Sequence, residues 1–256
     1  MLFSGIDIGS LTAKTVIIEN HRIITSHIIP VKRNPSLSAT LVYEEALNKV
    51  GLKPTDITFC VGTGYGRGKI SYANKTLSEI SCHGKGAHVL DSSIRTIIDI
   101  GGQDCKVIVL NEKGEMQDFL MNDKCAAGTG RYLEIMADLL NVTLDDVGNK
   151  ALKSKSPVSM SSVCSIYAQM EVLKLISKKI KKEDILAGIN RAMAERVVNM
   201  TRKMRIKPTY TMSGGVAKNT AVVKYISQLL QINFVPLPID AQLVGALGAA
   251  HFAKLQ

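Results

Sequence analysis

The strongest constraint on the fold of this 256-residue chain is an internal repeat. Residues 7–18 align without a gap on residues 99–110, and Asp, Ile, Gly and Lys recur in the same register. In each copy an apolar strand ends in Asp-x-Gly, and a second strand returns through a lysine into β-branched residues. The repeat predicts two β-hairpins whose tips each expose backbone amides and one carboxylate.

Two such hairpins facing one another would clamp a polyphosphate. The backbone amides of the two turns, at Gly9, Ser10, Gly101 and Gly102, would hold phosphate oxygens. The alternative for either segment alone is an ordinary hairpin with an acidic turn. The paired copies favour the clamp.

The register shared by the two copies also predicts roles for the charged residues of the hairpins. Asp7 and Asp99, at the two strand ends, would hold Mg²⁺ through water, because Mg²⁺ gives up its water ligands reluctantly. Lys14 would reach a phosphate or lie on the face of its strand, and both interpretations stay open.

Composition excludes several classes of protein. The chain is 46% hydrophobic with a mean hydropathy of +0.12, so it can bury a substantial core. It has no apolar run of about 18 residues and no leader peptide at its start, which predicts a cytoplasmic protein with no membrane span. An odd number of cysteines at irregular spacing predicts structural, catalytic or metal-bound thiols instead of a disulfide framework.

The net charge of +10 is concentrated in residues 174–182 and 196–207. In the first segment, apolar residues alternate with lysines at helical spacing, which predicts a solvated helix that covers core. These apolar residues are Leu173, Leu175, Ile176 and Ile180. No module or aromatic pattern typical of nucleic-acid binding accompanies the charge. An anionic substrate or an acidic protein partner explains it.

Periodicity and turn signals predict alternating strands and helices. The predicted strands are residues 3–8, 15–19, 22–29, 57–61 and a set beginning at 96. The predicted helices are residues 37–50, 76–90, one from 131, one from 164 to about 179, one ending at about 230 and a last one at 240–253. A glycine-rich loop occupies residues 62–68.

A diglycine turn provides the third nucleotide-binding motif. It contains Gly214 and Gly215 and is followed by Lys218 and Asn219, and it can lie against the adenosine or the phosphates of a nucleotide. The order Asp-x-Gly, Asp-x-Gly-Gly, Ser-Gly-Gly resembles the ATPase superfamily of actin, sugar kinases and heat-shock chaperones.

That resemblance implies an α/β, two-lobed actin-like ATPase, with ribonuclease H-like mixed sheets flanked by helices and related by a pseudo-twofold axis. ATP would bind in the cleft between the lobes. Residues 1–92 and 240–256 would form the first lobe and residues 93–239 the second. The last helix would return to the first lobe, and Gly245 and Gly248 would let it pack closely.

The five cysteines divide into two groups. Cys125 and Cys164 each precede a helix in a stretch of small residues, where the helix N-terminus favours a thiolate. Cys60 and Cys105 lie in apolar strands and are predicted to be buried. Cys82, next to a histidine, could indicate zinc, but one adjacent pair is weak evidence.

Several motifs together resemble the ATP-dependent activators of 2-hydroxyacyl-CoA dehydratases, a family that includes the ATPase subunits of benzoyl-CoA reductases. They are Glu79-Ile-Ser-Cys-His83, Asp99-Ile-Gly-Gly-Gln103-Asp104, the segment 122–130 around Cys125, Ser162-Val-Cys164, and the segment 213–219. The likeness covers nearly the whole chain. It implies a homodimer that shares one [4Fe–4S] cluster, with Cys125 and Cys164 of each subunit as ligands.

The resemblance also implies an ATP-driven transfer of an electron from that cluster to a partner iron–sulfur enzyme, with reduced ferredoxin or flavodoxin as donor. For hydrolysis, Asp7 and Asp99 would position Mg²⁺, and Gln103 or Asp104 would orient the attacking water. Glu134 would contact the ribose or satisfy a helix N-terminus.

Two departures from the family pattern concern the partner. Gln169 and Met170 replace a glutamate and a serine after the second cysteine, and Cys105 replaces a serine. The acceptor is therefore a 2-hydroxyacyl-CoA dehydratase or a reductase with another cluster, such as a double-cubane one. The alternatives are a small-molecule kinase without a cluster, for which Asp104 would be the general base, and a non-hydrolysing, nucleotide-dependent interaction module.

Overall fold

Each copy of the repeat lies in its own mixed β-sheet. A computed structural model describes residues 1–122, 126–160 and 164–256. The first sheet has the order β3-β2-β1-β4-β5, formed by β1 (Leu2–Ile8), β2 (Thr12–Glu19), β3 (Arg22–Pro30), β4 (Ile57–Thr63) and β5 (Lys75–Thr76). The second has the order β8-β7-β6-β9, formed by β6 (Thr96–Ile100), β7 (Cys105–Leu110), β8 (Met116–Asn122) and β9 (Tyr210–Ser213).

Helices flank the sheets. They are α1 (Pro35–Asn48), α2 (Glu79–Leu90), α3 (Gly130–Leu140), α4 (Leu144–Ala151), α5 (Ser165–Ser177), α6 (Lys182–Thr201), α7 (Thr220–Leu230) and α8 (Val244–Ala253). No helix was predicted for α4 or for most of α6, whereas β8 falls within the strand set predicted from residue 96. The last helix begins at Val244 instead of residue 240 because a short 3-10 turn, Ala241–Leu243, precedes it. Among the described residues, no helix has both the length and the apolar character needed to cross a membrane.

The two predicted hairpins are confirmed. Asp7 lies opposite Lys14 in the antiparallel pair β1–β2, and Asp99 lies opposite Lys106 in the pair β6–β7. In each half a further strand runs parallel to the first strand of the hairpin, namely β4 beside β1 and β9 beside β6. The same four-strand arrangement therefore occurs twice.

The last helix packs on the first sheet, as predicted. Its buried residues Ala246, Leu247 and Ala250 cluster with Val16 and Ile18 of β2. Helices α8 and α2 approach backbone to backbone, because a Cβ atom at Gly248 would overlap the carbonyl of Cys82. The predicted role of Gly248 in close packing is confirmed.

The prediction for the lysine-rich segment 174–182 is wrong in part. Helix α5 buries Ala168 and Val172, and Leu175 packs against the core of the second half. The other apolar residues predicted to cover core are instead exposed: Leu173 (46%), Ile176 (38%) and Ile180 (37%). Apolar residues at this spacing lie around more of the helix than the part of its surface that faces the core.

Candidate active site

A cavity of about 470 Å³ is lined by the tips of both hairpins. The two tips contact each other, since a Cβ atom at Gly102 would lie only 2.9 Å from Ser10 Oγ and 2.6 Å from Leu11 Cδ1. The predicted facing of the two turns is therefore confirmed. In the part of the chain that the structure describes, six carboxylates and three lysines line the cavity: Asp7, Glu79, Asp99, Asp104, Glu134, Asp145, Lys14, Lys106 and Lys218.

The first hairpin places a buried ion pair in the cavity. Lys14 Nζ lies 3.1 Å from Asp7 Oδ2, and both side chains are buried. The turn is closed by a hydrogen bond from Gly9 N–H to Thr12 O, at 3.0 Å. Lys14 thus lines the cavity, and its contact with a phosphate stays a prediction.

The second hairpin repeats this pair and adds a carboxylate. Lys106 Nζ lies 3.5 Å from Asp99 Oδ2 and 2.8 Å from Asp104 Oδ1. Burial favours the neutral form of Lys106, but the two carboxylates outweigh it and raise the pKa of the lysine above its ordinary value. Lys106 therefore remains a fixed positive charge beside the Gly101–Gly102 turn.

A pair of equivalent glycines supports the two aspartates from the neighbouring parallel strands. Gly64 follows β4 with a φ of +89°, and Gly214 follows β9 with a φ of +82°. A Cβ atom at either position would press on the aspartate of the same half, namely Asp7 or Asp99. Only glycine combines this conformation with this proximity. The correspondence of Thr63-Gly64 with Ser213-Gly214 is a second repeat that sequence reasoning did not detect.

Asp99 is held ionised by a network that crosses between secondary structures. Ser213 Oγ donates to Asp99 Oδ1 at 2.8 Å, and His83 Nδ1 lies 3.0 Å from Ser213 Oγ and 3.3 Å from Asp99 Oδ1. Burial opposes ionisation of Asp99, but His83, Lys106 and the Ser213 hydrogen bond together hold its pKa below the ordinary value.

The zinc suggestion for Cys82 and His83 receives no support. Cys82 is buried, burial raises the pKa of its thiol to about 12, and its hydrogen bond is to Thr63, whereas His83 turns to Ser213. Within the described ranges, no three His, Cys, Asp or Glu side chains are grouped to ligate a metal ion directly.

The position of His83 leads to a prediction. His83→Ala should raise the pKa of Asp99 toward its ordinary value and lower the free energy of unfolding by about 1–3 kcal/mol, because buried polar groups lose a partner. The stability that ionised Asp99 contributes is present above about pH 4 and is lost as the pH falls. The acid limb of the pH–rate profile for ATP hydrolysis should therefore move to higher pH in this variant.

His88→Ala, on the same helix but outside the residues that line the cavity, is the control. The rate profile and thermal unfolding of both variants should be compared with those of the unaltered chain. An unchanged profile for His83→Ala would contradict the assigned role.

The third predicted motif lies in the cavity wall. Gly214, Gly215, Lys218 and Asn219 all line it. Lys218 contacts Asp240 (2.5 Å) and Gln242 (3.0 Å). The Asn219 side chain caps α7 by accepting from Ala221 N–H and Val222 N–H, both at 3.1 Å. Asn219 therefore also orients the helix that follows.

Glu134 lines the cavity one turn into α3 and pairs with Arg131 at 3.0 Å. Apolar contact near it comes from Leu133, Leu144 and Val216, which also line the cavity. These three residues, together with Thr12, Tyr65, Asp145 and Gln242, are cavity residues that the sequence analysis missed. Their only sequence signal was helical or turn spacing, which is common to core residues.

The glycine turn of the second hairpin is bonded to the first turn of α3. Gly130 N–H donates to Gly101 O and Arg131 N–H donates to Gly102 O, each at 2.8 Å. These bonds satisfy the first amides of α3, which have no partner within the helix. A displacement of the turn is consequently transmitted to the start of α3.

The predicted water-orienting residues are placed differently. Asp104 lines the cavity, whereas Gln103 is exposed and is absent from the cavity lining that the structure describes. Cys60 and Cys105 are buried, as predicted.

Of the two predicted cluster ligands, Cys164 is exposed and stands at the N-cap of α5, with its carbonyl accepting Ala168 N–H at 2.9 Å. Cys125 lies outside the described residues, which resume at Ala126.

Two Asp-x-Gly hairpins and a Ser-Gly-Gly turn around one cavity, on sheets of equivalent order, define an ATPase of the fold shared by actin, sugar kinases and heat-shock chaperones. Comparison with known proteins narrows this class. The chain belongs to the BadF/BadG/BcrA/BcrD ATPase family, whose model matches residues 4–253.

Individual relatives agree with that assignment. The chain is 40% identical to the 2-hydroxyisocaproyl-CoA dehydratase activator of Clostridioides difficile over 253 residues, covering 99% of this chain and 95% of that protein. It is 41% identical over 251 residues to the (R)-2-hydroxyglutaryl-CoA dehydratase activating ATPase of Acidaminococcus fermentans, covering 97% and 95%.

A solved structure of the activator of the 2-hydroxyisocaproyl-CoA dehydratase from Clostridium difficile, with bound ADPNP, superimposes with a TM-score of 0.94. Its sequence identity to the chain is 41%, and the match covers 99% of this chain and 94% of that one.

Proposed function

We propose that this chain is an ATP-driven reductive activator, which couples ATP hydrolysis to delivery of a low-potential electron to a partner 2-hydroxyacyl-CoA dehydratase or a related reductase. The names of its relatives supply the class of partner. The structural observation that carries the proposal is the pair of hydrogen bonds from Gly130 and Arg131 to the Gly101–Gly102 turn. They connect the nucleotide cavity to the segment that follows Cys125.

In the nucleotide site, Lys14 and Lys106 would contact phosphate oxygens, and the amides of the two hairpin turns, including those of Ser10 and Gly102, would cradle them. Asp7 and Asp99 fit Mg²⁺, since ionised carboxylates are the oxygen ligands that this ion accepts, directly or through water. The ion would offset phosphate charge during transfer.

Asp104 would orient the attacking water, because it lines the cavity and Lys106 holds its carboxylate at 2.8 Å. Gln103, predicted for the same task, would have to turn inward from its exposed position. Glu134 would face the ribose from α3.

The proposed coupling follows the backbone. Loss of the terminal phosphate would release the Gly101–Gly102 turn, and its carbonyls would move Gly130 and Arg131 at the start of α3. Helix α3 packs against α5, at whose N-cap Cys164 lies. The Gly101–Gly102 turn would thereby act on α3 and α5, the helices that follow the predicted ligands Cys125 and Cys164.

The residues near Cys164 fit a [4Fe–4S] cluster shared by two subunits. The thiol is exposed at the N-cap of α5, and one chain offers two predicted ligands of the four such a cluster needs. The cluster would supply the low-potential electron, received from reduced ferredoxin or flavodoxin. A twofold homodimer completes the ligand set.

Cluster formation tests the proposal. Anaerobically reconstituted chain should show the broad visible absorbance of an iron–sulfur cluster, and Cys164→Ser should lose most of it. Cys60→Ser, a substitution at a buried cysteine, should keep it. Only the coloured protein should activate a 2-hydroxyacyl-CoA dehydratase, and only with ATP.

A small-molecule kinase of the same fold would behave differently. It would stay colourless, tolerate oxygen, and turn over ATP only with an acceptor substrate. Retention of full absorbance by Cys164→Ser would exclude this residue as a ligand.

A further inference from the structure

Helix α5 is apolar on two opposite sides. Its inner side is formed by Ala168, Val172 and Leu175, which pack on the core. At 100° per residue, Ile166, Met170 and Leu173 lie about half a turn away from them. We call the exposed set on this side the outer face of α5: Ile166 (67%), Tyr167 (69%), Met170 (64%) and Leu173 (46%).

Single exposed apolar residues are ordinary on protein surfaces, but four on one side of a thirteen-residue helix are not. A helix that is apolar all round is stable when both sides are covered. The outer face begins two residues after the exposed Cys164, so whatever covers it also lies next to that thiol.

A cluster of exposed lysines adjoins the outer face at the C-terminal end of α5. It comprises Lys174, Lys178, Lys179, Lys181 and Lys182. The one acidic residue of the helix itself, Glu171, is partly buried. Two copies of α5 placed together would therefore give these lysines no exposed carboxylates from the helix, in either orientation. In the proposed dimer the second copy meets the Cys164 end of α5, and the charge at the C-terminal end favours an acidic partner there.

We propose that the outer face of α5 and its lysines dock the electron-accepting enzyme, through an apolar patch on that enzyme that is bordered by carboxylates. The inference rests on the proposed function. The apolar residues would exclude water beside Cys164, and docking there would bring the acceptor close to the cluster, which shortens the path of the electron. The lysines would accelerate encounter at low ionic strength.

The test uses the anaerobically reconstituted chain with ATP, and the 2-hydroxyisocaproyl-CoA dehydratase of Clostridioides difficile as probe. The concentration of chain that half-activates the dehydratase should rise at least tenfold for Met170→Glu. Leu255→Glu, at a residue that is 66% exposed compared with 64% for Met170, should leave it unchanged. Both variants should keep the cluster absorbance and the basal ATPase rate.

Charge is tested in the same assay. Lys174→Glu with Lys178→Glu should weaken activation at low salt, and the loss should shrink as salt is added. Lys53→Glu with Lys113→Glu changes the net charge equally at exposed sites outside α5 and should have little effect.

Three results would overturn the docking assignment. Equal activation by Met170→Glu and Leu255→Glu would remove it and leave the proposed function standing. If sedimentation velocity shows a dimer for the wild-type chain and for Leu255→Glu but a monomer for Met170→Glu, the outer face is a contact between copies. A coloured wild-type chain that activates neither this dehydratase nor a double-cubane reductase would remove both proposals.

Discussion

Asp99→Asn is expected to lower the rate of ATP hydrolysis about a hundred- to a thousandfold, the size of effect seen when one preorganised electrostatic group is removed from an active site. The carboxylate is buried, contacts Lys106 and accepts a hydrogen bond from Ser213. Asparagine preserves its shape but removes the charge that would position Mg²⁺. Lys106 keeps Asp104 as a partner, so the fold should survive.

The measurement is phosphate release under saturating ATP and Mg²⁺, with thermal unfolding as the check on folding. Asp118→Asn, at an exposed carboxylate of the same sheet, is the matched control and should be neutral. Asp7→Asn, the equivalent change in the first hairpin, should have a comparable effect. Near-normal hydrolysis by Asp99→Asn would refute the assignment of this residue to the reaction.

Gly214→Ala should both destabilise the protein and stop the reaction. The positive φ of +82° costs an alanine about 1–2 kcal/mol. The added methyl group would also overlap Ile100 O and lie 2.9 Å from Asp99 Oδ1, which displaces the carboxylate. We expect a loss of about 2–4 kcal/mol in the free energy of unfolding and at least a tenfold loss of ATPase activity.

Gly51→Ala separates the two contributions. Its φ is +68°, but a Cβ atom there meets nothing within 4 Å. It should therefore cost about 1 kcal/mol of stability and no activity. Denaturant unfolding and phosphate release distinguish the variants. If Gly214→Ala behaved like Gly51→Ala, contact with Asp99 would have no part in the effect.

The hairpins were predictable because their determinants are local. Asp7 and Lys14 are seven residues apart, and Asp99 and Lys106 repeat that spacing, so strand register alone brings each pair together. The motifs shared with the family also made the diglycine turn at Gly214 predictable. The fold class followed from the order of these segments along the chain.

The features of the site that sequence analysis missed depend on contacts between residues that are distant in the sequence. His83 is a partner of Ser213, 130 residues further along, and its neighbour Cys82 suggested a different chemistry. The bonds from Gly130 and Arg131 to the Gly101–Gly102 turn involve only backbone atoms, which leave no sequence pattern. The outward orientation of Leu173 followed from the limited area of core beneath α5, which helical spacing does not report.

The charge of the cavity is opposite in sign to that of the whole molecule. The chain carries +10, yet among the described residues that line the cavity six carboxylates face three lysines. A bare triphosphate would enter against like charge, whereas a triphosphate that already carries a divalent cation brings positive charge to the unmatched carboxylates. We therefore expect the site to favour the metal-bound form of the nucleotide over the bare triphosphate, while the basic surface attracts anions in general.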